Sequence, residues 1–415
     1  MMRHGCILFC SLALATVGAW AADASADGRA ASPRRPHETT PGFEKIALID
    51  SYDFIRYFDC ETKTGTVQVV ENVAGQVGAT HLLWRHQTGG VPRYPSVEES
   101  SMIHRMPFEK RVVEVNTIHG WSSDLAKGET NMLAYAIEQI AAHGLVAGIH
   151  HTWEENHGQS RTCSQWNLDH PEYSTRSLHG IARPGFTSSL AYEEVLAHKL
   201  RRFDEVLSTG PSMIYIDMWR QGGWYARLEY VKPMCDRWRS RYGCEPPEDA
   251  SDERWLALVA ECNHRYIRAM RARMDATGRP MQLVLGIPYC DLEDKELWRR
   301  YAVDWKALAA DGTVDAISVM SVKPDEKRIW DSTREIYEYV YRNRGRAKVY
   351  FPVSQYNYTY GIPSYCKATG LKGEEVAARL LDLAASCGGA GVTFECVDMY
   401  NYTEAMREVI RRFHR

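Results

Sequence analysis

The chain has 415 residues, 45% hydrophobic and 25% charged, with a formal net charge of -3. That is enough chain for one large core or for one barrel with extended loops, and the hydrophobic share is that of a globular protein. Neither sign of charge dominates, which argues against a nucleic-acid or anionic-membrane partner.

In chain order, residues 1–21 read as an export signal. Met1, Met2, Arg3 and His4 make a short basic start, residues 6–17 are mostly apolar, and Ala19-Trp20-Ala21 fits a small-x-small cleavage site. The apolar run is too short to span a bilayer comfortably. The expectation is an exported protein, periplasmic or secreted, with no membrane attachment once the signal is removed. Residues 22–41, rich in Ala, Ser, Pro and Arg, read as a flexible leader, and residues 42–415 as one catalytic domain.

From Lys45 onward, short apolar runs alternate with amphipathic stretches. The runs are residues 46–49, 80–84, 145–149, 213–216, 282–287, 314–320, 348–353 and 391–394. Eight strands separated by helices are what a closed (β/α)8 barrel requires, so the predicted fold class is α/β, a TIM barrel with long βα loops. Val195, Leu196, Leu200, Phe203 and Leu207 share one face of a predicted helix, as do Trp255, Val259, Cys262, Tyr266, Met270 and Met274 of the next. Glycines 78, 144, 210, 278, 312, 345 and 388 punctuate the helix-to-strand turns, where a residue free of Cβ can take the left-handed conformation. The segments after the second, third and fourth strands are long, and loops of that length usually build a pocket. Residues 111–116 within the first of them alternate like a hairpin strand.

Eleven cysteines include two in the signal. The odd remainder of nine leaves at least one unpaired within a monomer, and with no C-x-x-C pair the usual zinc-ribbon and thioredoxin signatures are missing.

A barrel keeps its chemistry at the carboxyl ends of its strands. The most telling end is the fourth, where Met213, Ile214, Tyr215 and Ile216 stop abruptly on Asp217, with Trp219 and Arg220 following. The second offers Trp84, Arg85 and His86, the third His150, His151 and Trp153, the fifth Tyr289 and Asp291, the sixth Asp325, and the eighth Glu395. Carboxylates and aromatics of this kind suit glycoside hydrolysis. One carboxyl protonates the leaving oxygen, and a second attacks the sugar or activates water. Aromatic faces stack on sugar rings, while His and Arg bond hydroxyls. Asp217 and Glu395, on the fourth and eighth strands, face each other across the expected mouth. Adjacent histidines on a strand point to opposite faces, so of His150 and His151 one is expected inward and the other packed outward. G-x-S-x-G, dinucleotide-binding and P-loop patterns are absent, and so is H-E-x-x-H.

Residues 214–219 resemble the "W-[IL]-D-M-N" nucleophile segment of the α-glucosidase/α-xylosidase family. Residues 210–217 resemble the "G-P-x-x-x-x-W-F-D" segment of α-L-fucosidases, and residues 143–153 their "H-G-L-x-x-G-x-Y-x-S-x-x-W" segment. The fucosidase H-H-D-G-F signature is replaced by Leu83-Trp84-Arg85-His86-Gln87-Thr88-Gly89-Gly90. Tyr242-Gly243-Cys244-Glu245-Pro246 with Trp255 and a long helix resembles uncharacterised glycoside-hydrolase-like barrels of bacteria. These resemblances imply a TIM-barrel glycoside hydrolase with Asp217 as nucleophile and an α-linked sugar as substrate. Glu395 as acid/base rests on position, with Asp291 and Asp325 as alternatives.

The expectation from sequence is thus an exported, retaining glycosidase acting on an oligo- or polysaccharide without a cofactor. Trp84, Trp153, Trp219 and Tyr289 would shape the sugar subsite, and Arg85, His150, His151 and Arg220 would contribute polar contacts. Two alternatives stand beside it: a barrel that binds carbohydrate without cleaving it, and a metal-dependent hydrolase using His86, His150, Glu154 and Asp217.

Overall fold

The computed structural model describes residues 42–49, 62–88, 91–99, 130–152, 164–182, 187–218, 225–288, 295–354, 361–395 and 401–413. All of them belong to one compact unit, Glu38–Arg415. The expected signal, leader and hairpin lie outside the described residues.

Eight parallel strands close on themselves. They are β1 (Glu44–Leu48), β2 (His81–Arg85), β3 (Val146–Thr152), β4 (Met213–Asp217), β5 (Gln282–Ile287), β6 (Ala316–Val319), β7 (Lys348–Pro352) and β8 (Gly391–Glu395). Each pairs with the next in sequence, and β8 returns to β1 with Glu44 opposite Gly391 and Leu48 opposite Glu395. A helix follows each strand: α1 (Lys63–Val77), α2 (Met132–Ala142), α3 (Glu193–Ser208), α4 (Glu253–Ala276), α5 (Trp305–Ala310), α6 (Ile329–Asn343), α7 (Gly373–Ser386) and α8 (Glu404–Arg412). This is the (β/α)8 barrel that the alternation of runs predicts.

The helices form where local chemistry favours them. Thr62, Asn131, Asp252, Asp304 and Thr403 each accept a backbone N–H at a helix start, satisfying donors the helix itself cannot. The predicted apolar faces of α3 and α4 are buried. The seven glycines of the helix-to-strand turns all take positive φ, between 57° and 86°. At Gly345 a Cβ would also stand 2.8 Å from the carbonyl oxygen of Ala309, so both backbone and space demand glycine there.

Alternation along the strands sorts side chains into two layers. Ala47, Leu82, Trp84, Ile149, Ile214 and Ile216 face outward into the continuous apolar layer beneath the helices. Ile46, Leu48, Leu83, Met213, Tyr215, Val284, Ala316 and Tyr350 fill the barrel itself. The interior is tightly fitted. Tyr215 crosses it, donating to Ser318 Oγ at 3.2 Å, and Ser318 is 3.3 Å from Thr393 Oγ1. Three alternate strands, β4, β6 and β8, are thereby linked by one polar chain inside an apolar core. Room for the tyrosine comes from Gly286 on the adjacent strand, where a Cβ would lie 2.6 Å from Tyr215 Oη.

The amino-terminal end of the barrel is closed by a polar plug. Glu44 accepts from Lys348 Nζ at 2.6 Å and Tyr350 Oη at 2.5 Å, with His81 Nε2 at 3.9 Å. Burial works to raise the Glu44 pKa, yet the bonds from Lys348 and Tyr350 outweigh it and hold the carboxyl below its ordinary range. Lys45 points the other way and donates to the Arg411 carbonyl at 3.0 Å, tying β1 to the last turn of α8. Among the described residues the five cysteines 235, 244, 262, 366 and 387 are free thiols. No described helix is long and apolar enough to cross a membrane.

Gly286→Ala should therefore cost about 1–3 kcal/mol, because the barrel wall cannot move away from Tyr215. Urea unfolding of the variant measures this; a midpoint equal to that of the wild type would refute the packing argument.

Candidate active site

The carboxyl ends of β1, β3 and β4 bring one constellation together. Asp217, the last residue of β4, is 1% exposed, and its Oδ2 lies 3.0 Å from His150 Nε2. His150, on β3, turns its other ring nitrogen to the main chain just past β1, with Nδ1 2.8 Å from the Ile49 carbonyl oxygen. A carbonyl oxygen can only accept, so Nδ1 carries a hydrogen and donates. Tyr215 meets the same ring edge-on, with centroids 5.8 Å apart at 88°. The tyrosine that spans the barrel thus also supports the histidine at its mouth. Strand alternation explains the grouping, since Tyr215 and Asp217 share one face of β4 and His150 is in register with Tyr215.

Arg85 is in register with His150 on the neighbouring strand and fully buried, its Nε donating to the Gln87 carbonyl at 2.9 Å. Glu395 closes β8 opposite Leu48; its side chain lies outside the described residues. So do Trp153, Trp219, Arg220, Tyr289 and Asp291, together with Glu154 of the metal-dependent alternative. Asp325 is exposed and caps a short 3-10 turn, accepting from Lys327 N at 2.9 Å. Its described contact is therefore that of a cap.

Two of the expected contact residues face the other way. Trp84 lies between Leu83 and Arg85 on β2, and alternation sends its indole into the apolar layer beneath the helices. His151 follows His150 and likewise points outward, edge-on to Phe203 of α3 at 5.8 Å. There its Nδ1 lies 2.8 Å from His86 Nε2, and Tyr266 Oη of α4 is 3.4 Å from its Nε2. Neither residue belongs to the site assembled at the mouth. The same alternation separates His86 from His150 and Asp217, so His86 does not join them as the metal-dependent alternative requires. Among the described residues no three His, Cys, Asp or Glu side chains gather as metal ligands would.

The outer histidine pair was not foreseen from sequence. It is fully buried, and burial above all pushes both pKa values down, that of His151 to about 3; His151 and then Arg202 add to this at His86, Lys199 and then Arg202 at His151. His81 at the opposite end of the barrel is lowered by burial to about 4.

The long loops above the strand ends are laced to the barrel and to each other. Gln87 Nε2 donates to the Thr152 carbonyl at 2.7 Å, and Arg202 of α3 donates to Gln87 Oε1 at 2.7 Å. Glu205 of α3 accepts from Ser96 Oγ at 2.6 Å and Val97 N at 2.8 Å. Glu99 accepts from Gln165 N at 2.8 Å, joining the loop after β2 to the loop after β3. That loop in turn meets the one after β4, where Arg176 N donates to the Leu228 carbonyl at 2.6 Å and Tyr230 N to the Arg176 carbonyl at 3.0 Å. The described parts of these loops are thereby tied to α3 and to one another.

No protein-family model matches the chain, and neither does any curated protein. Solved structures do resemble it. The PgaB (BpsB) glycoside hydrolase domain from Bordetella bronchiseptica is similar over 90% of this chain and 100% of that one, with TM-score 0.59 and 11% identity. The β-galactosidase from the psychrophilic Marinomonas ef1 is similar over 89% of this chain and 58% of its own, with TM-score 0.56 and 11% identity. The β-galactosidase of the Antarctic haloarchaeon Halorubrum lacusprofundi gives 0.53 and 12%, over 89% and 57%. The shared feature is the barrel. This chain has the fold on which those glycoside hydrolases are built, and it spans little more than half the length of the two β-galactosidases.

The buried histidines make stability depend on pH with a definite sign. The unfolded chain takes up their protons near pH 6.5, whereas in the folded chain His81 refuses its proton to about pH 4 and His151 to about pH 3. The unfolded state binds more protons across that window, so stability falls as pH falls, by about 1.4 kcal/mol per pH unit for each such histidine. His151→Gln should remove one histidine's share of the slope of unfolding free energy between pH 6.5 and pH 4. An unchanged slope would show that His151 is not held neutral.

Proposed function

We propose that this protein is an exported glycoside hydrolase that cleaves an α-linked O-glycosidic bond with retention, through Asp217. The observation that carries the reading is the buried Asp217 carboxylate at the carboxyl end of β4, inward-facing and fixed by His150. A barrel shared with the PgaB glycoside hydrolase domain supports it. Retention and the α linkage rest on the likeness of residues 210–219 to the nucleophile segments of α-glucosidases and α-L-fucosidases.

In the first step, Asp217 attacks the anomeric carbon as the glycosidic C–O bond breaks. The leaving oxygen takes a proton from Glu395, which ends the strand across the barrel from β4. In the second, Glu395 as carboxylate removes a proton from water, water attacks the anomeric carbon, and Asp217 departs with its electron pair. The substrate is an oligo- or polysaccharide, with Trp153, Trp219 and Tyr289 as stacking surfaces and Arg85 and Arg220 as polar contacts. Export follows from residues 1–21 and predicts a mature chain beginning near Ala22.

A panel of aryl α- and β-glycosides, including the α-L-fucoside, tests the reading with wild type, Asp217→Asn and Glu395→Gln. Wild type should turn over an α-glycoside, and Asp217→Asn should lose kcat by at least about 10³-fold. Glu395→Gln should retain its first step on aryl glycosides with good leaving groups, since those need no protonation. Equal activity in wild type and Asp217→Asn would remove Asp217 as nucleophile. A panel silent for every member, with carbohydrate binding retained, would instead favour the non-catalytic barrel.

A further inference from the structure

His150 was expected to bond a sugar hydroxyl, but both of its ring nitrogens already have partners. Nδ1 donates to the Ile49 carbonyl at 2.8 Å, and Nε2 lies 3.0 Å from Asp217 Oδ2. Once Nδ1 carries a hydrogen, a neutral imidazole has only a lone pair at Nε2. A lone pair and a carboxylate oxygen at 3.0 Å repel unless a proton sits between them. The dyad therefore holds one proton more than neutral histidine and ionised aspartate would, located on either Nε2 or Oδ2.

Two features favour the nitrogen. Imidazole is ordinarily a stronger base than a carboxylate. The hydrogen bond to the Ile49 carbonyl also strengthens when its donor is charged, so it stabilises the imidazolium more than the neutral ring. The ring cannot turn to escape the arrangement. Tyr215 stands perpendicular against it, Nδ1 is anchored on the main chain, and the histidine is 2% exposed.

We infer that His150 is the positioning residue of Asp217, an imidazolium anchored on the Ile49 carbonyl that holds Oδ2 and keeps the carboxylate that attacks the anomeric carbon ionised and oriented. This rests on the glycosidase reading for its consequence, though not for the geometry. In the glycosylation step the carboxylate's negative charge is consumed as its bond to the anomeric carbon forms, and the imidazolium keeps its proton. When water later displaces Asp217, the electron pair of that bond returns to the carboxylate, and the adjacent imidazolium stabilises the charge as it reappears. No proton moves to or from His150 in either step. His150 thus acts through Asp217 and makes no contact with substrate.

The proton can be located without any substrate. In wild type labelled with 15N-histidine, long-range 1H–15N spectra at neutral pH should show hydrogens on both ring nitrogens of His150, the signal that disappears in His150→Gln. In Asp217→Asn only Nδ1 should remain protonated. A bare Nε2 in wild type would overturn the inference by placing the proton on Asp217. With whichever glycoside is hydrolysed, His150→Phe should lower kcat on the order of 10²-fold with KM changed by no more than about twofold. His150→Gln, which can still donate to Oδ2, should recover part of the loss while shifting the acid limb of the pH–rate profile upward. A raised KM with kcat intact would instead make His150 a substrate contact. If no glycoside is hydrolysed, the glycosidase reading fails by itself and the spectra still decide the dyad.

Discussion

Closure of the sheet is the constraint on which everything else depends. Once β8 pairs with β1, the eight strands have no free edge and the interior has a fixed volume. Every inward residue must then fit the others. Gly286 is small because Tyr215 is large, and Gly148 leaves space that Leu83 fills. The polar chain from Tyr215 through Ser318 to Thr393 satisfies hydroxyls that would otherwise be stranded in an apolar core. A closed, fully packed wall also makes the strand ends rigid, and a catalytic group gains most from a support that cannot yield.

The site inherits that rigidity. Asp217 stands one residue pair above Tyr215 on the same face of β4, and Tyr215 braces the ring of His150. His150 reaches the main chain beyond β1, so three strands set the position of one carboxylate. Around them, Gln87, Glu99, Glu205 and Arg176 tie the rim loops to α3 and to one another.

The neighbouring histidine pair shows how much one position along a strand changes. His150 and His151 are chemically identical and adjacent, yet one joins a buried carboxylate at the mouth while the other meets His86 and Phe203 under α3. The inner ring has a carboxylate at hydrogen-bond distance, the partner that suits an imidazolium. In the outer pair the partner is a second histidine, and burial with the surrounding cations excludes a proton. Burial therefore does not by itself decide a histidine's charge; the partner at hydrogen-bond distance does.

Local chemistry carried much of the architecture. Apolar runs broken by glycine marked all eight strands, because a parallel strand buried on both sides has no polar face to blur the signal. Asp217 was legible as an abrupt carboxylate after such a run, and the apolar faces of α3 and α4 showed in their spacing. That two adjacent histidines would diverge was legible too, from the two-residue period of a strand. Which of them faces inward was not, because the absolute parity of β3 is set by its register against β2 and β4. For the same reason Trp84 read as a sugar platform although it packs beneath the helices. The sequence alone thus determined the barrel and the place of Asp217 at the end of its fourth strand, both of which depend on local pattern. Only the tertiary structure decided which side chains share the mouth and what holds Asp217, because those contacts join residues such as Ile49, His150 and Asp217, far apart in the chain and brought together by closure of the sheet.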